Sequence, residues 1–85
     1  MMECRLLLAH EVVVFLDSLK AAERRKLMRR FLEIAAFPGN YADCGERDAN
    51  GRRLDVHVFG KYAIACWDDF ADRHLKILDV RPAGH

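Results

Sequence analysis

Residues 51–80, GRRLDVHVFGKYAIACWDDFADRHLKILDV, decide the fold. Arg52–Phe59 alternates apolar and polar residues, which is typical of a half-buried β-strand. Gly60–Lys61 then supplies a two-residue hairpin turn, because glycine adopts positive φ readily. Tyr62–Trp67 is more continuously apolar, which predicts a central strand covered on both faces. With a last strand at Leu75–Val80, the stretch predicts a three-stranded antiparallel meander.

A strand and two helices are predicted before this meander. Glu3–Ala9 is short and leucine-rich and is read as a strand, whereas Glu11–Leu19 has apolar residues at helical spacing. Ala21–Phe37 is the clearest helix, with apolar side chains over an arc of about 160° opposite a basic face. Pro38–Gly39 ends it, and Gly39–Gly51, dense in Gly, Asn and Asp, is predicted to be a long loop.

The predicted order is therefore β-α-α-β-β-β. It indicates an α+β domain with two helices packed on one face of a small, mainly antiparallel four-stranded sheet. At 85 residues one domain, 1–85, is expected. Apolar runs such as Val12–Leu16 fall far short of the roughly 20 residues of a membrane span, so no membrane partner is expected.

The cysteine content indicates a reducing compartment. Three cysteines are an odd number with no Cys-x-x-Cys pair, which argues against a disulfide framework and for a cytoplasmic location. A zinc site of Cys44, His57 and His74 lacks ligand spacing, so we expect no metal and no cofactor.

Charge is segregated along the chain although the total is small. The formal net charge is +1, which predicts weak steering towards nucleic acid. Six basic residues lie between Lys20 and Arg30, whereas four aspartates lie between Asp68 and Asp79. This pattern suits an oriented protein partner. The wide apolar arc also predicts an exposed edge at Met28 and Leu32, through which the isolated chain would form a symmetric homodimer.

The order of elements and several motifs resemble the RelE/ParE superfamily of type II toxin–antitoxin (plasmid stabilization) systems. The resemblance rests on Gly51–Leu54, Phe59–Ile64, Trp67 and His74–Val80. It implies a bacterial toxin that a cognate antitoxin protein neutralises.

The resemblance also implies one of two activities. Ribosome-dependent members are mRNA interferases, metal-independent endoribonucleases that inhibit translation, and their basic residues stabilise charge on the attacked phosphate. By alignment on Gly60, Arg53, Tyr62 and Arg81 fall at or near functional positions, although Tyr62 replaces a cation. His57, two residues beyond Asp55 on the polar side of its strand, is the candidate general acid or base.

The alternative activity is a non-enzymatic one. Because Asp55 stands where a cation is wanted and the C-terminal helix is missing, a ParE-like gyrase inhibitor or an orphan partner-binding domain stays open. For His57 and Arg53, ordinary polar residues on an exposed sheet face are the competing interpretation, and Tyr62 could simply pack against a loop.

Basic side chains outside that set are candidates for binding the ribosome and mRNA, or a protein partner. They are Arg25, Arg29 and Arg30 on the predicted helix, Arg52 at the start of the meander, and Lys61 at the hairpin tip, where Tyr62 could stack on a base. A solvated helix face and a solubilising hairpin lysine are the alternatives.

Overall fold

The computed structural model describes residues 5–84. Its elements are β1 (Arg5–Leu8), α1 (His10–Asp17), α2 (Ala21–Ala36), a 3-10 turn (Pro38–Tyr41), β2 (Cys44–Arg47), β3 (Arg53–Phe59), β4 (Tyr62–Asp69) and β5 (His74–Pro82). The sheet order is β1-β5-β4-β3-β2. Only the β1–β5 pairing is parallel within the described sheet. Glu3 and Cys4 of the predicted first strand, and the terminal His85, lie outside the described residues.

The two faces of the sheet differ in what covers them. On the helix face, Val12 and Leu16 of α1 and Leu27, Phe31 and Ile34 of α2 pack with sheet residues including Ile64 and Ile77. The opposite face, called the open face below, carries a smaller buried cluster of Leu54, Val56, Ala63 and Ala65. Four consecutive β4 residues, 63–66, are buried, which confirms the prediction of a central strand covered on both faces.

Arg24 joins the two helices. Its guanidinium donates hydrogen bonds to the carbonyls of Leu16 and Leu19, both at 3.0 Å, at the C-terminal end of α1 and in the turn that follows it. On the outer side of α2, Leu32 is 57% exposed, whereas Met28 is half-buried against the core. The predicted apolar edge is thus confirmed at Leu32 and only partial at Met28. Neither α1 nor α2 has the length and apolar character needed to cross a membrane.

The predicted four-stranded sheet is wrong by one strand, because β2 lies inside the predicted Gly39–Gly51 loop. β2 pairs with β3 from Cys44 opposite Val56 to Arg47 opposite Arg53. The turn between them is closed by Asp48, whose carboxylate accepts hydrogen bonds from the N–H groups of Asn50 (2.9 Å) and Arg52 (2.8 Å). The four residues of β2, CGER, do not alternate apolar and polar side chains. Backbone pairing with β3 and the hydrogen bonds of the Asp48 turn therefore form this strand.

Candidate functional site

The open face has a floor of small and apolar side chains. Ala63 and Ala65 of the central strand lie beside Leu54 and Val56 of β3, and all four are buried although both helices are on the other side. Trp67 and Leu78 border this floor, and Val58 at its edge is 50% exposed. Side chains of the sheet, together with Ala83 just after β5, therefore cover the floor.

An ion pair between the second and fifth strands crosses this face. Arg81 Nη2 of β5 lies 2.5 Å from Glu46 Oε1 of β2, and Arg81 Nη1 donates to Asp79 Oδ2 at 3.0 Å. Because β4 and β3 separate β5 from β2, the two side chains meet across two intervening strands. Hydrogen bonds to Glu46 and then to Asp79 raise the pKa of Arg81 above its ordinary value.

Two further cations border the same face at Trp67. The guanidinium of Arg52 and the ammonium of Lys76 lie 4.4 and 4.7 Å from the centre of the indole ring. Each also has a carboxylate partner, Asp48 at 3.1 Å from Arg52 and Asp69 at 3.5 Å from Lys76. All three cations around the floor are therefore paired with acids.

His57 lies on the helix face, in a chain of hydrogen bonds. Its Nδ1 is 2.9 Å from Asp43 Oδ2 and its Nε2 is 3.2 Å from Arg30 Nη1. The neutral tautomer protonated at Nδ1 satisfies both contacts, donating to Asp43 and accepting from Arg30. Asp43 Oδ2 also accepts the Val58 N–H at 2.7 Å. This N–H and then His57 lower the pKa of the Asp43 carboxyl.

The expected exposure of His57 is wrong, since only 8% of the residue is accessible. Arg30 approaches the rings of Tyr41 (5.1 Å) and Phe59 (4.4 Å) and closes the site from α2. Both imidazole nitrogens thus have hydrogen-bond partners within the protein. The alternation of β3 shows which residues share a face but not which face the helices cover.

Tyr62 also lies on the helix face, at the hairpin tip. Its hydroxyl donates to Glu23 Oε1 at 2.7 Å, and its ring meets Phe15 edge-on at 5.9 Å between centres. This hydrogen bond is the largest cause both of the lowered pKa of Glu23 and of the raised pKa of Tyr62. Lys26 (3.6 Å) and Lys61 (3.7 Å) also reach Glu23. The tyrosine therefore contacts α1 and α2, and not a loop as the alternative interpretation had it.

Arg53 remains exposed, next to Gly45 and opposite Arg47 on the neighbouring strand. It shares the helix-side orientation of His57, whereas Arg81 points to the open face. The structure therefore does not bring the predicted catalytic residues Arg53, His57, Tyr62 and Arg81 to one place.

The predicted binding residues are dispersed as well. Arg25 and Arg29 are exposed on α2, whereas Arg30 is half-buried in the His57 chain. Arg52 borders the open face, and Lys61 is exposed at the hairpin tip. These five cations do not form one continuous site.

Sequence analysis did not predict the contacts of three acidic residues in these sites, Glu23, Asp43 and Glu46. Asp43 and Glu46 lie in the segment predicted to be a loop, and Glu46 meets Arg81 from 35 positions away. Nothing local in the sequence signals either contact. For Glu23, the available signal is its position as an acidic residue among the basic residues between Lys20 and Arg30.

At the β4–β5 turn, Asp69, Asp72 and His74 each place one potential metal-ligand atom within 4.8 Å of the others. Lys76 already provides a cation to Asp69. The imagined site of Cys44, His57 and His74 has its central histidine held by Asp43 and Arg30.

Comparison with known proteins identifies the fold. No protein-family model and no curated protein matches the chain. A solved structure described as the archaeal RelE–RelB complex from Pyrococcus horikoshii OT3 matches with a TM-score of 0.80 and 22% identity, over 99% of both chains. The chain therefore shares the fold of this structure, which agrees with the fold that the resemblance implies.

Proposed function

We propose that this chain is the toxin component of a type II toxin–antitoxin system and that a cognate antitoxin neutralises it. The support is a RelE fold over nearly the whole chain, together with a structural neighbour solved as a RelE–RelB complex. Segregated charge and the exposed Leu32 edge also suit a protein partner. Plasmid stabilization, a bacterial source, a cytoplasmic location and homodimerisation in isolation remain predictions.

The geometry supports a toxin that acts by binding a protein target rather than by cleaving mRNA. The observation that carries this choice is the division of the candidate catalytic residues between the two faces. A phosphoryl transfer needs cations that converge on one phosphate. Here Arg81 is alone among the four on the open face and already binds Glu46 and Asp79.

The target class follows from the ParE side of the resemblance, so DNA gyrase is the first protein to test. A domain that only binds its antitoxin is the remaining alternative. The other activity, that of a ribosome-dependent endonuclease, requires that Arg53 or Arg81 lie close to a phosphate of the mRNA.

Two assays on the purified chain separate these activities. Primer extension on ribosome-bound message should show intact RNA at every concentration of the chain, while gyrase supercoiling should decline with increasing chain. RNA cleavage that Arg53→Ala or Arg81→Ala reduces by about 100-fold or more, as expected for loss of one transition-state contact, would overturn the binding-only proposal.

A further inference from the structure

We propose that Glu46 is an internal anion that closes the open face, occupying the Arg81 guanidinium that a phosphate of single-stranded RNA would otherwise bind. The closure goes beyond the proposed function, because it concerns access to this face and not the toxic target. It assigns a regulatory role to a residue of the second strand.

The Glu46–Arg81 ion pair lies across the floor of the open face. Glu46 lies opposite Leu54 of β3, and Arg81 lies opposite Ala63 of β4, so the pair spans the floor diagonally. Ala63 and Ala65 are buried at 7% and 0% exposure although both helices of residues 5–84 lie on the other side. The paired side chains of Glu46 and Arg81 cross the face beside Trp67, Leu78 and Ala83, which pack against the floor.

The Glu46–Arg81 contact that closes the open face can separate. Both side chains of the pair are more than a third exposed, so the net stabilisation of the pair is small and an external anion can compete. Glu46 also belongs to a four-residue edge strand that pairs only with β3. An arginine held by a carboxylate in two hydrogen bonds presents the same paired donors to a phosphate.

The open face also carries an aromatic side chain and two further cations. Trp67 lies at the border of the floor with Arg52 and Lys76 against its ring. Proteins that bind single-stranded nucleic acids combine cations along the backbone with an aromatic ring for stacking. The open face holds both parts, and acids now neutralise its cations.

The test compares three variants by the fluorescence anisotropy of a labelled, single-stranded oligouridylate. Glu46→Gln should bind about tenfold more tightly than the unaltered chain at low salt, because it removes one of the two carboxylates that hold Arg81 and leaves Asp79 as the other. Glu11→Gln, an exposed residue of α1, makes the same change in net charge and should leave affinity nearly unchanged. Adding Arg81→Gln to Glu46→Gln should remove the gain.

A second readout comes from Trp67, the sole tryptophan of the chain. RNA should quench its emission more strongly in Glu46→Gln than in the unaltered chain if binding occurs on this face. Equal affinity of Glu46→Gln and the unaltered chain would overturn the proposal. So would an equal gain in Glu11→Gln, which would reveal a general charge effect. Because neither readout requires toxicity, a failure here is distinct from failure of the toxin assignment.

Discussion

Asp43 fastens the start of β2 to the neighbouring strand. Its carboxylate accepts hydrogen bonds from the Val58 N–H and from His57, while its own N–H donates to the Val56 carbonyl at 2.9 Å. Through His57 this contact continues to Arg30 on α2. One aspartate therefore links three separate segments of the chain.

Asp43 should make folding stability depend on pH. Because its folded-state pKa is lowered, its ionised form stabilises the fold above the ordinary carboxyl pKa. That contribution is lost as the pH falls through the lowered value. Thermal unfolding should show Asp43→Asn less stable than the unaltered chain at neutral pH, with the difference shrinking on acidification. The exposed Asp17→Asn is the charge-matched control, and a difference constant with pH would contradict this role.

For single residues, the sequence predicted which face of a strand a side chain occupies better than it predicted whether that face is exposed. Alternation correctly separated Leu54, Val56 and Val58 from Arg53 and His57. It could not show that α2 covers the side of His57, because that depends on packing between elements far apart in the chain. The prediction of an exposed His57 failed for this reason.

At the scale of elements, β2 depends on its turn. Gly51 has a φ of +81°, a conformation that costs other residues about 1–2 kcal/mol. Gly51→Ala should therefore reduce the free energy of unfolding by about 1 kcal/mol in chemical denaturation. Gly39→Ala, at a site with open space and no positive φ, is the matched control. Equal effects of the two changes would contradict this account of the turn.

The core face of α2 should dominate its contribution to stability. Phe31 is completely buried, and Phe31→Ala should cost about 3–5 kcal/mol, a large part of the roughly 4–13 kcal/mol expected for 85 residues. Leu32→Ala on the exposed side should change stability by less than about 0.5 kcal/mol. Denaturant titration measures both. Similar costs at the two neighbouring positions would mean that the helix packs differently.

Across the whole molecule, sequence patterns indicate the local elements but not the pairing between distant segments. Helical periodicity and strand alternation predicted both helices and the β3–β5 meander, since these patterns are local. β2 and the Glu46–Arg81 contact depend on pairing between distant segments, for which a four-residue polar stretch carries no signal. The sequence therefore offered Arg81 as a candidate residue but gave no sign of its contact with Glu46.

We propose that this chain is a toxin that a partner protein neutralises. Bacterial growth after induction of the chain, alone and together with the protein encoded beside its gene, tests this proposal. Growth should arrest with the chain alone and recover with the partner. Growth identical to that of cells with an empty vector, while the folded chain accumulates in soluble form, would contradict it.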